Sequence, residues 1–444
     1  MKIMKFGGTS VGSAERMKAL VDLIHRPEPI IVVLSAMSGT TNKLVEISEK
    51  LHHHQNEEAL KLIDSLHQTY KKVVGELYTT EKMRKEVGNV IDAHFEHIRS
   101  FTRAMFTVHE ERGILAQGEL LSTAMFHFYL QESGISSVLL PALNFMRIDE
   151  DEEPDQEYIQ EHLAAELEKH PGQQLFITQG YICRNAFGEI DNLKRGGSDY
   201  SASLIGAAVD AEEIQIWTDI DGMHNNDPRI VKNTYPIAEL SFDEAAELAY
   251  FGAKILHPYS IRPAKLKNIP VRLLNTMQPA ARGTIITSES SGSAIKAVAA
   301  KDGITAIKIR SSRMLLAYGF LRTIFEVFES YKTPIDMVTT SEVAVSVTID
   351  KDKYLREIVA ELQDYGTVEV DQEQTIICVV GDFMEDSQGS TLRIFQSLQD
   401  IPLRMIAYGG SKNNISFLVK TEYKEKALLA LNEGVFQERK LTHA

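Results

Sequence analysis

The stretch Arg195-Gly196-Gly197-Ser198-Asp199-Tyr200-Ser201-Ala202 constrains the fold most, because it predicts a tight turn that runs directly into a helix of small residues from Ala202 to Val209. Two adjacent glycines allow positive φ angles and a close approach of the backbone to a ligand. Ser198 or Asp199 suits the start of the helix, where unpaired N–H groups and the helix dipole attract anions. The stretch alone favours an anion site and an ordinary capped junction equally.

A second stretch of the same kind, Lys5-Phe6-Gly7-Gly8-Thr9-Ser10, includes the end of a short apolar strand predicted from Ile3 to Phe6. Thr9 and Ser10 are predicted as caps of the helix that follows. The P-loop pattern is excluded, because serine and alanine follow Gly12 where a lysine and a hydroxyl residue are required. The dinucleotide fingerprint is excluded as well, because the chain contains no Gly-x-Gly. We therefore predict a second anion cradle in which the lysine precedes the glycines.

Composition limits the possible partners. The 444 residues are enough for two or three domains, each with its own core. The 47 basic and 62 acidic side chains give a formal charge of −15, so we expect neither nucleic acid nor an anionic membrane as a partner. Cys183 and Cys378 lie far apart in apolar runs and are predicted to be reduced core thiols, which suits the cytoplasm. Without a signal peptide or an apolar span of membrane length, a cytoplasmic protein is expected.

Together, the two glycine motifs resemble those of the aspartate kinases in the amino-acid kinase family. The resemblance continues through Phe251-Gly252-Ala253-Lys254-Ile255-Leu256-His257-Pro258 to a C-terminal part that resembles paired ACT domains. It implies an α/β fold, with an amino-acid kinase-like sandwich around a mainly parallel sheet, followed by two ferredoxin-like (βαββαβ) ACT domains. The implied boundaries are 1–295 for the catalytic domain, with a helical substrate lobe at about 43–130, and 303–372 and 373–444 for the ACT-like domains. Exchange of strands between these two is left open.

A continuous apolar run from Ile30 to Leu34 is rich in β-branched residues and predicts a strand buried on both faces, as in a parallel sheet. The polar stretch from Ser35 to Asn42 follows it, at a strand's carboxyl end, where open α/β sheets bind ligands. These residues leave a ligand loop and an ordinary helix cap equally open. The resemblance implies that Ser35 and Thr41 contact the substrate.

Residues 43 to about 130 carry long helical patterns. The three histidines from His52 to His54 could indicate a metal site. Consecutive residues of a helix point in different directions, however, so we favour a solvated surface. Glu119 lies in an otherwise small and apolar segment, Ile114 to Phe126. Burial of its carboxylate is costly without a partner, and an ammonium group would satisfy it. The resemblance implies that Glu119 binds the substrate's amino group, and an exposed glutamate near a helix start is the alternative.

A loop from Thr218 to Arg229 follows another predicted strand, and its Asp-Gly and Asp-Pro pairs mark it as irregular. The resemblance assigns this loop to the nucleotide. His224 replaces the tyrosine that the family usually carries, which leaves the contacts to adenine or ribose open. A capping-box pattern from Ser241 to Glu244 opens the helix that precedes Lys254. The ATP-binding residues that the resemblance implies are Lys5, Gly7, Gly8, Thr218, Asp219, His224, Arg229 and Lys254.

From about Gly303 the pattern changes to short strands with interspersed helices in the order βαββαβ, followed by a second, similar set. A weak repeat, Pro334-Ile335-Asp336-Met337 against Pro402-Leu403-Arg404-Met405, supports two copies. Such small units pair edge strands between chains, so a homodimer or a dimer of dimers is predicted through this part. The residues alone indicate a dimerisation domain without further function.

The resemblance to paired ACT domains implies an amino-acid effector site as well. Lysine is the expected effector and threonine the second, although Ala317 and Pro334 replace serines often found there. The implied effector-binding residues are Met314, Gly319, Phe320, Leu321, Asp336, Thr340, Ser341 and Glu342.

The implied activity is transfer of a phosphoryl group from ATP to the side-chain carboxylate of L-aspartate. The products are 4-phospho-L-aspartate and ADP, at the head of lysine, threonine and methionine biosynthesis. The nucleophile has a pKa of about 3.9 and is already ionised at neutral pH, so it needs no general base. Repulsion between anions opposes the reaction, by about 4 kcal/mol for two unit charges about 4 Å apart at an effective dielectric constant of about 20. Cations are therefore the required catalysts.

We assign Lys5 and Lys254 to the transferring phosphates, with backbone N–H groups of Gly7, Gly8 and Gly197 facing them. The assignment makes Lys5 one of the two catalytic residues.

Asp199 is the other catalytic residue, which orients Lys5 or a water bound to Mg²⁺. Mg²⁺ itself would be held mainly by ATP, with no metal ligand expected from the protein. Arg195 would pair with the α-carboxylate of aspartate and Glu119 with its ammonium group. The substrate-binding residues are Ser35, Thr41, Glu119, Arg195 and Ser198.

Two rival functions remain open. One is another acyl-phosphate kinase, acting on glutamate or an acylated glutamate, and the other is a catalytically dead regulatory protein that binds an amino acid. Retention of the proposed lysines, arginine and aspartate together argues against the dead protein. Asp191-Asn192-Leu193-Lys194 stands where the family usually has Thr-Thr-Leu-Gly, which leaves the entry to the Arg195 motif uncertain. A fused homoserine dehydrogenase is not expected, because the sequence ends at Ala444.

Overall fold

The computed structural model describes residues 1–103, 105–193, 196–252, 256–289, 295–311, 318–383 and 389–436. The residues of the sequence predictions that lie outside the described ones are Lys194, Arg195, Lys254, Met314 and Ala317. The chain forms two compact units, Met1–Met223 with Ile255–Ser290, and His224–Lys254 with Ser291–Ala444. Each unit has its own hydrophobic core.

In chain order, the described strands are β1 (Lys2–Phe6), β2 (Ile30–Leu34), β3 (Val138–Leu140), β4 (Leu175–Gln179), β5 (Ile182–Arg184), β6 (Ile190–Asn192), β7 (Glu213–Thr218), β8 (Glu239–Ser241), β9 (Val271–Asn275), β10 (Thr284–Thr287), β11 (Ile295–Arg310), β12 (Val338–Thr340), β13 (Ala344–Ile349), β14 (Thr367–Gly381), β15 (Met405–Tyr408) and β16 (Asn414–Lys420). The described α-helices are α1 (Ala14–Ile24), α2 (Thr40–His52), α3 (Asn56–Leu77), α4 (Glu81–Ser100), α5 (Val108–Glu132), α6 (Gln156–Glu168), α7 (Gly197–Ala208), α8 (Phe242–Tyr250), α9 (Arg262–Lys267), α10 (Phe320–Ser330), α11 (Leu355–Leu362), α12 (Ser390–Ser397) and α13 (Lys424–Leu431).

The strands of the first unit form a sheet in the order β3-β4-β2-β1-β7-β9-β10. Neighbouring strands are parallel as far as β9, and β10 pairs with β9 in the antiparallel direction. All five residues of β2 are buried, as expected for an apolar strand covered on both faces. The predicted α/β fold with a mainly parallel sheet is therefore confirmed. Since the strands run in one direction, the segments that follow β1, β2, β4 and β7 lie at one edge of the sheet.

Helices α2 to α5 form the helical part predicted at about 43–130, and their apolar side chains join β1 and β2 in one core. Thr107 and Glu110 form a capping box at the start of α5. The buried side chains of α5 do not follow a single stripe, which is typical of a helix that is covered on several sides. The three consecutive histidines at the end of α2 are exposed, as the solvated-surface interpretation predicts.

One predicted helix cap is wrong, and one helix begins earlier than predicted. The N-cap of α1 is Ser13 rather than Thr9 or Ser10, because Ser10 is fully buried and its Oγ is hydrogen bonded to Oγ1 of Thr276 at 2.7 Å. Helix α7 starts earlier than the predicted Ala202, with Gly196 as its N-cap at a φ of 70°. That left-handed conformation favours glycine and leaves Ser198 and Asp199 within the first helical turn.

The second unit contains a sheet in the order β12-β13-β11-β14-β16-β15, in which all neighbours are antiparallel. Strands β11 and β14 are long and pair with each other along most of their length. The pattern of this part of the sequence predicts one strand from Thr367 to Val370 and another from Thr375 to Val380, but the structure has a single continuous strand, β14. Both predicted repeats therefore contribute strands to one sheet. Helices α10 and α11 pack into one hydrophobic core of this unit, and α12 and α13 pack into another.

The predicted boundary between the two ACT-like domains, at 372–373, falls within β14. The domain boundaries remain a proposal that allows for this shared strand. No α-helix of the described residues has both the length and the hydropathy needed to cross a membrane.

Candidate active site

The proposed phosphate and substrate residues of the first unit gather at the carboxyl edge of its sheet. The Gly7 N–H donates to the carbonyl oxygen of Trp217 in β7 at 3.2 Å. The Ser35 N–H donates to the carbonyl oxygen of Phe6, at the end of β1, at the same distance. The turns that follow neighbouring strands are thus held together by backbone hydrogen bonds. This edge is where parallel α/β sheets bind ligands.

Lys5 and Asp199 form an ion pair at this edge. The Nζ atom of Lys5 lies 2.6 Å from Oδ1 of Asp199, and the two side chains are 11% and 17% exposed. A Cβ atom on Gly7 would lie 3.6 Å from this Nζ, so the ammonium group lies beside the glycine turn. Asp199 belongs to the first turn of α7 and donates its own N–H to the carbonyl oxygen of Gly196 at 3.1 Å, whereas the first N–H groups of a helix have no partner within it. A positive charge and backbone donors lie together here, as an anion requires.

Glu119 is buried in the middle of α5, with 4% of the residue exposed. Its Oε1 accepts a hydrogen bond from the Ala36 N–H at 3.1 Å, whereas its Oε2 has no hydrogen-bond partner among the described residues. Burial raises the pKa of Glu119 to about 8, against the smaller opposing effects of the Ala36 N–H and of Lys5. The alternative of an exposed glutamate at a helix start is therefore wrong. A cation that reached Oε2 would favour the ionised carboxylate.

The loop after β2 packs closely against α5. A Cβ atom on Gly118 would lie only 2.7 Å from the Cβ of Ala36, so a glycine is required for this approach. Ser122 Oγ donates to the carbonyl oxygen of Ser35 at 2.8 Å. The peptide group between Ser35 and Ala36 is therefore bound by α5 at both its carbonyl oxygen and its N–H.

Ser198 and Thr41 occupy different surroundings. Ser198 is buried in the first turn of α7, where a Cβ atom on Gly180 would lie 2.4 Å from the Ser198 Cβ. Gly180 follows β4 directly, so this glycine allows α7 to approach the end of that strand. Thr41 is exposed in the first turn of α2, and its contact with substrate remains a prediction.

The predicted nucleotide residues are divided between the two units. Thr218 ends β7 in the first unit, and its Oγ1 donates to Oδ1 of the adjacent Asp219 at 3.3 Å. In the second unit, His224 Nδ1 is hydrogen bonded to Thr234 Oγ1 at 2.9 Å. Arg229 also lies in the second unit, as a surface side chain 80% exposed.

Arg229 pairs with Asp227 through two hydrogen bonds, from Nε at 2.9 Å and from Nη2 at 2.7 Å. The hydrogen bond from Arg229 lowers the pKa of the Asp227 carboxyl group. The guanidinium group is thus held in a fixed orientation by a neighbour two residues away.

The predicted effector residues surround α10 and β12 in the second unit. Gly319 is the N-cap of α10, with a φ of 84°, and Leu321 is exposed on that helix. The Asp336 side chain is only 1% exposed, and its carboxylate accepts hydrogen bonds from the Tyr250 hydroxyl and from the Lys301 ammonium group, the latter at 2.9 Å. Asp336 is thus engaged within the chain, whereas Thr340, Ser341 and Glu342 are exposed. Phe320, the first residue of α10, is partly buried.

Sequence reasoning missed Arg112 and Gly180. Arg112 in α5 pairs with Asp191 in β6, and Asp191 belongs to the stretch that departs from the family pattern. The hairpin sequence also carries Arg184 and Glu189, and nothing in it points to a partner 79 positions earlier. Gly180 carried a clearer signal, because it follows a buried strand at the edge where ligands bind.

Comparison with known proteins identifies the family. Residues 1–275 match the amino acid kinase family, and residues 377–435 match the ACT domain. Aspartokinase 2, chloroplastic, from Arabidopsis thaliana is 34% identical over 98% of this chain and 84% of its own length. Lysine-sensitive aspartokinase 3 from Escherichia coli is 31% identical over 98% of this chain and 99% of its own length.

A solved structure extends the similarity to three dimensions. The crystal structure of E. coli aspartokinase III in complex with aspartate and ADP matches with a TM-score of 0.85 and 31% identity, over 98% of this chain and 100% of that one. Sequence and fold therefore agree, and the family predicted from the sequence is confirmed. The chain belongs to the aspartokinases of the amino acid kinase family.

Proposed function

We propose that the protein is an aspartate kinase, which transfers the γ-phosphoryl group of ATP to the side-chain carboxylate of L-aspartate. The products are 4-phospho-L-aspartate and ADP. The observation that carries this proposal is the buried Glu119 carboxylate with one unpartnered oxygen, in the same unit as the Lys5–Asp199 pair. A ligand that suits both features carries an ammonium group for the Glu119 carboxylate and a negative charge for Lys5. An amino acid bound beside a phosphate group meets both requirements. The complex of the E. coli relative with aspartate and ADP supports the same pair of ligands.

Charge neutralisation is the catalytic task that we assign to Lys5. The attacking carboxylate and the γ-phosphate are both anions, and a fixed ammonium group stabilises the charge that they share in the transition state. Asp199 keeps the Lys5 ammonium group beside the glycine turn through the ion pair, in which Nζ and Oδ1 lie 2.6 Å apart. We assign a second phosphate contact to Lys254 and backbone contacts to Gly7, Gly8 and Gly197, as the family motif implies.

The substrate is held at its ammonium group and at its α-carboxylate. Glu119 accepts hydrogen bonds from the ammonium group, and Arg195 pairs with the α-carboxylate in a bidentate geometry. Ser35, Thr41 and Ser198 complete this proposed substrate set. Because glutamate is one methylene longer, a site fixed at these two charges would misplace its side-chain carboxylate.

ATP and Mg²⁺ are the proposed cosubstrate and metal. The nucleotide would contact Thr218 and Asp219 at the end of β7 in the first unit. Since Asp199 is already paired with Lys5, we propose that Mg²⁺ is held mainly by ATP oxygens. When bound, Mg²⁺ neutralises part of the phosphate charge.

Regulation by lysine is the second part of the proposal, with threonine as the other candidate effector. The name of the lysine-sensitive E. coli relative supports lysine. We also propose a homodimer, or a dimer of dimers, through the ACT-like part, whose sheet ends in β12 and β15. Cytoplasmic localisation remains a prediction, since the Arabidopsis relative is named as chloroplastic.

Trapping with hydroxylamine tests the activity. With Mg-ATP and L-aspartate, we expect ADP release and aspartyl hydroxamate formation, and with L-glutamate neither. Millimolar lysine is expected to suppress the reaction more than threonine does. Hydroxamate from glutamate would indicate the rival acyl-phosphate kinase. No turnover with either substrate, together with amino-acid binding, would indicate a regulatory protein.

The affinity for aspartate is expected to rise with pH. With its pKa near 8, Glu119 is mostly protonated at pH 7 in the free enzyme, and it must ionise to pair with an ammonium group. The apparent Kd should therefore fall by up to about tenfold per pH unit below the pKa and level off above it. Calorimetry at pH 7 in buffers of different ionisation enthalpy should detect the release of nearly one proton per aspartate. Binding without proton release would contradict the role of Glu119.

A further inference from the structure

Arg112 and Asp191 form an ion pair between α5 and β6, outside the residues discussed for the reaction. Nη1 of Arg112 lies 2.5 Å from Oδ2 of Asp191, whose side chain is only 3% exposed. The other carboxylate oxygen, Oδ1, accepts a hydrogen bond from the Asn192 N–H at 2.7 Å. Both oxygens are therefore engaged, and the orientation of the carboxylate is fixed.

The environment of Asp191 makes Arg112 indispensable to it. Asp191 lies opposite Cys183 in the β5–β6 hairpin, and that thiol is fully buried. A carboxylate in such surroundings is strongly destabilising unless a cation compensates it. Among the residues that the structure describes, Arg112 is a cation that pairs with Asp191, and its guanidinium group reaches the hairpin from α5.

Arg112 and Glu119 share one face of α5. They are separated by seven residues, which is nearly two full helical turns and about 10.5 Å along the helix axis. One end of this helical face therefore fixes the β5–β6 hairpin, and the other end carries the carboxylate proposed to bind the substrate ammonium group.

The hairpin leads directly to the other half of the proposed substrate site. After β6, the Leu193 N–H donates to the carbonyl oxygen of Tyr181 at 2.8 Å. The Tyr181 N–H in turn donates to Ser201 Oγ in α7, also at 2.8 Å. The segment that enters the turn before α7 is thus tied both to α7 and, through Asp191, to α5.

We propose that the Arg112–Asp191 pair is a positioning device that sets the distance between Glu119 in α5 and the first turn of α7, which carries Ser198. The pair would hold the ammonium-binding carboxylate and this helical turn at the separation that the substrate amino acid spans. This inference rests on the proposed aspartate kinase function. Arg112 and Asp191 contact each other and not the reacting atoms, so they are positioning residues.

The ion pair gives the fold a charged connection between α5 and the β5–β6 hairpin, which precedes α7 in the chain.

Kinetics of three variants of the full-length protein test the proposal. Arg112→Met is expected to raise KM for aspartate about tenfold or more, while KM for ATP stays within about twofold, because the damage is confined to the amino-acid pocket. Arg112→Lys keeps a cation beside Asp191 and is expected to restore KM for aspartate to within about threefold of the wild-type value. The double variant Arg112→Met/Asp191→Leu removes both charges and is expected to recover thermal stability but to keep the raised KM.

Arg272→Met is the matched control. Arg272 pairs with Glu213 at 2.9 Å in another partly buried ion pair of the first unit, but Glu213 is the first residue of β7 and lies at the opposite edge of the sheet. This variant is expected to lose stability and to keep the wild-type KM for aspartate. A raised KM in the control, or a KM that recovers together with stability in the double variant, would show a purely structural role and overturn the inference.

The outcomes separate this inference from the proposed function. If the wild-type enzyme forms hydroxamate from aspartate but Arg112→Met keeps its KM, the positioning role is wrong and the kinase function stands. If the wild-type enzyme forms no hydroxamate from aspartate, the proposed function and this inference are both overturned.

Discussion

Replacement of Lys5 by methionine is expected to lower kcat about a thousandfold with little change in the fold. Methionine keeps the length of the side chain and removes its charge. The ammonium group of Lys5 lies beside the Gly7 turn. Without it, the repulsion between the two reacting anions is not compensated on that side of the site. Turnover measured as ADP release under saturating Mg-ATP and aspartate checks the prediction, with circular dichroism as the test of folding.

Two further variants identify the cause of this loss. Lys5→Met leaves the Asp199 carboxylate without its partner, and an unpaired negative charge would also repel phosphate. The double variant Lys5→Met/Asp199→Asn removes both charges and is expected to remain as slow as the single variant. Recovery of kcat in the double variant would mean that the role of Lys5 is only to neutralise Asp199.

Lys2 provides the matched control on the same strand. It is the first residue of β1 and pairs with Glu28 at 3.0 Å, at the opposite end of the strand from the glycine turn. Lys2→Met is expected to keep wild-type turnover. If Lys5→Met also kept kcat within about threefold of the wild type, the assignment of Lys5 to the phosphates would be wrong.

The parts of the fold that depend on local pattern could be predicted from the sequence. The run from Ile30 to Leu34 matches β2 residue for residue, because a strand covered on both faces needs unbroken apolar character. The capping box at Ser241 and Glu244 is present at the start of α8, since both of its hydrogen bonds are made between residues three apart.

The parts that depend on distant contacts could not be predicted. The sequence predicts Ser10 as a helix cap, but its hydroxyl group is hydrogen bonded to that of Thr276, 266 residues away in sequence. The polar residues within β14 interrupt its apolar pattern and so favour two separate strands, yet pairing with β11 keeps this segment extended. In the site, the burial of Glu119 could be anticipated from its apolar neighbours, whereas the partner of Asp191 could be found only in three dimensions.

Glu119→Gln is expected to raise KM for aspartate about a hundredfold. Glutamine keeps the size of the side chain and the hydrogen bond from the Ala36 N–H, but it replaces the carboxylate with a neutral amide. A hydrogen bond to a charged group contributes about 1.5–3 kcal/mol, and about 1.4 kcal/mol corresponds to a factor of ten in affinity. KM for ATP is expected to stay close to the wild-type value, because Glu119 is assigned to the amino group of aspartate alone.

Glu132→Gln is the control for this variant, because Glu132 ends the same helix and binds the backbone of Thr79 and Thr80. It is expected to leave KM for aspartate unchanged. An equally raised KM in the control, or an unchanged KM in Glu119→Gln, would exclude the ammonium contact.

The free energy of unfolding gives a second, independent readout of Glu119. Because burial raises its pKa above the ordinary value, its protonated form favours the folded state. The stabilisation is complete below the unfolded-state pKa and is lost as the pH rises through about 8. Wild-type stability should therefore fall between pH 5 and pH 8 relative to that of Glu119→Gln, which lacks this ionisation, and saturating aspartate should reduce the difference. Parallel denaturation profiles for the two proteins across this range would mean that burial does not raise the pKa of Glu119, and the expected rise of aspartate affinity with pH would then be wrong as well.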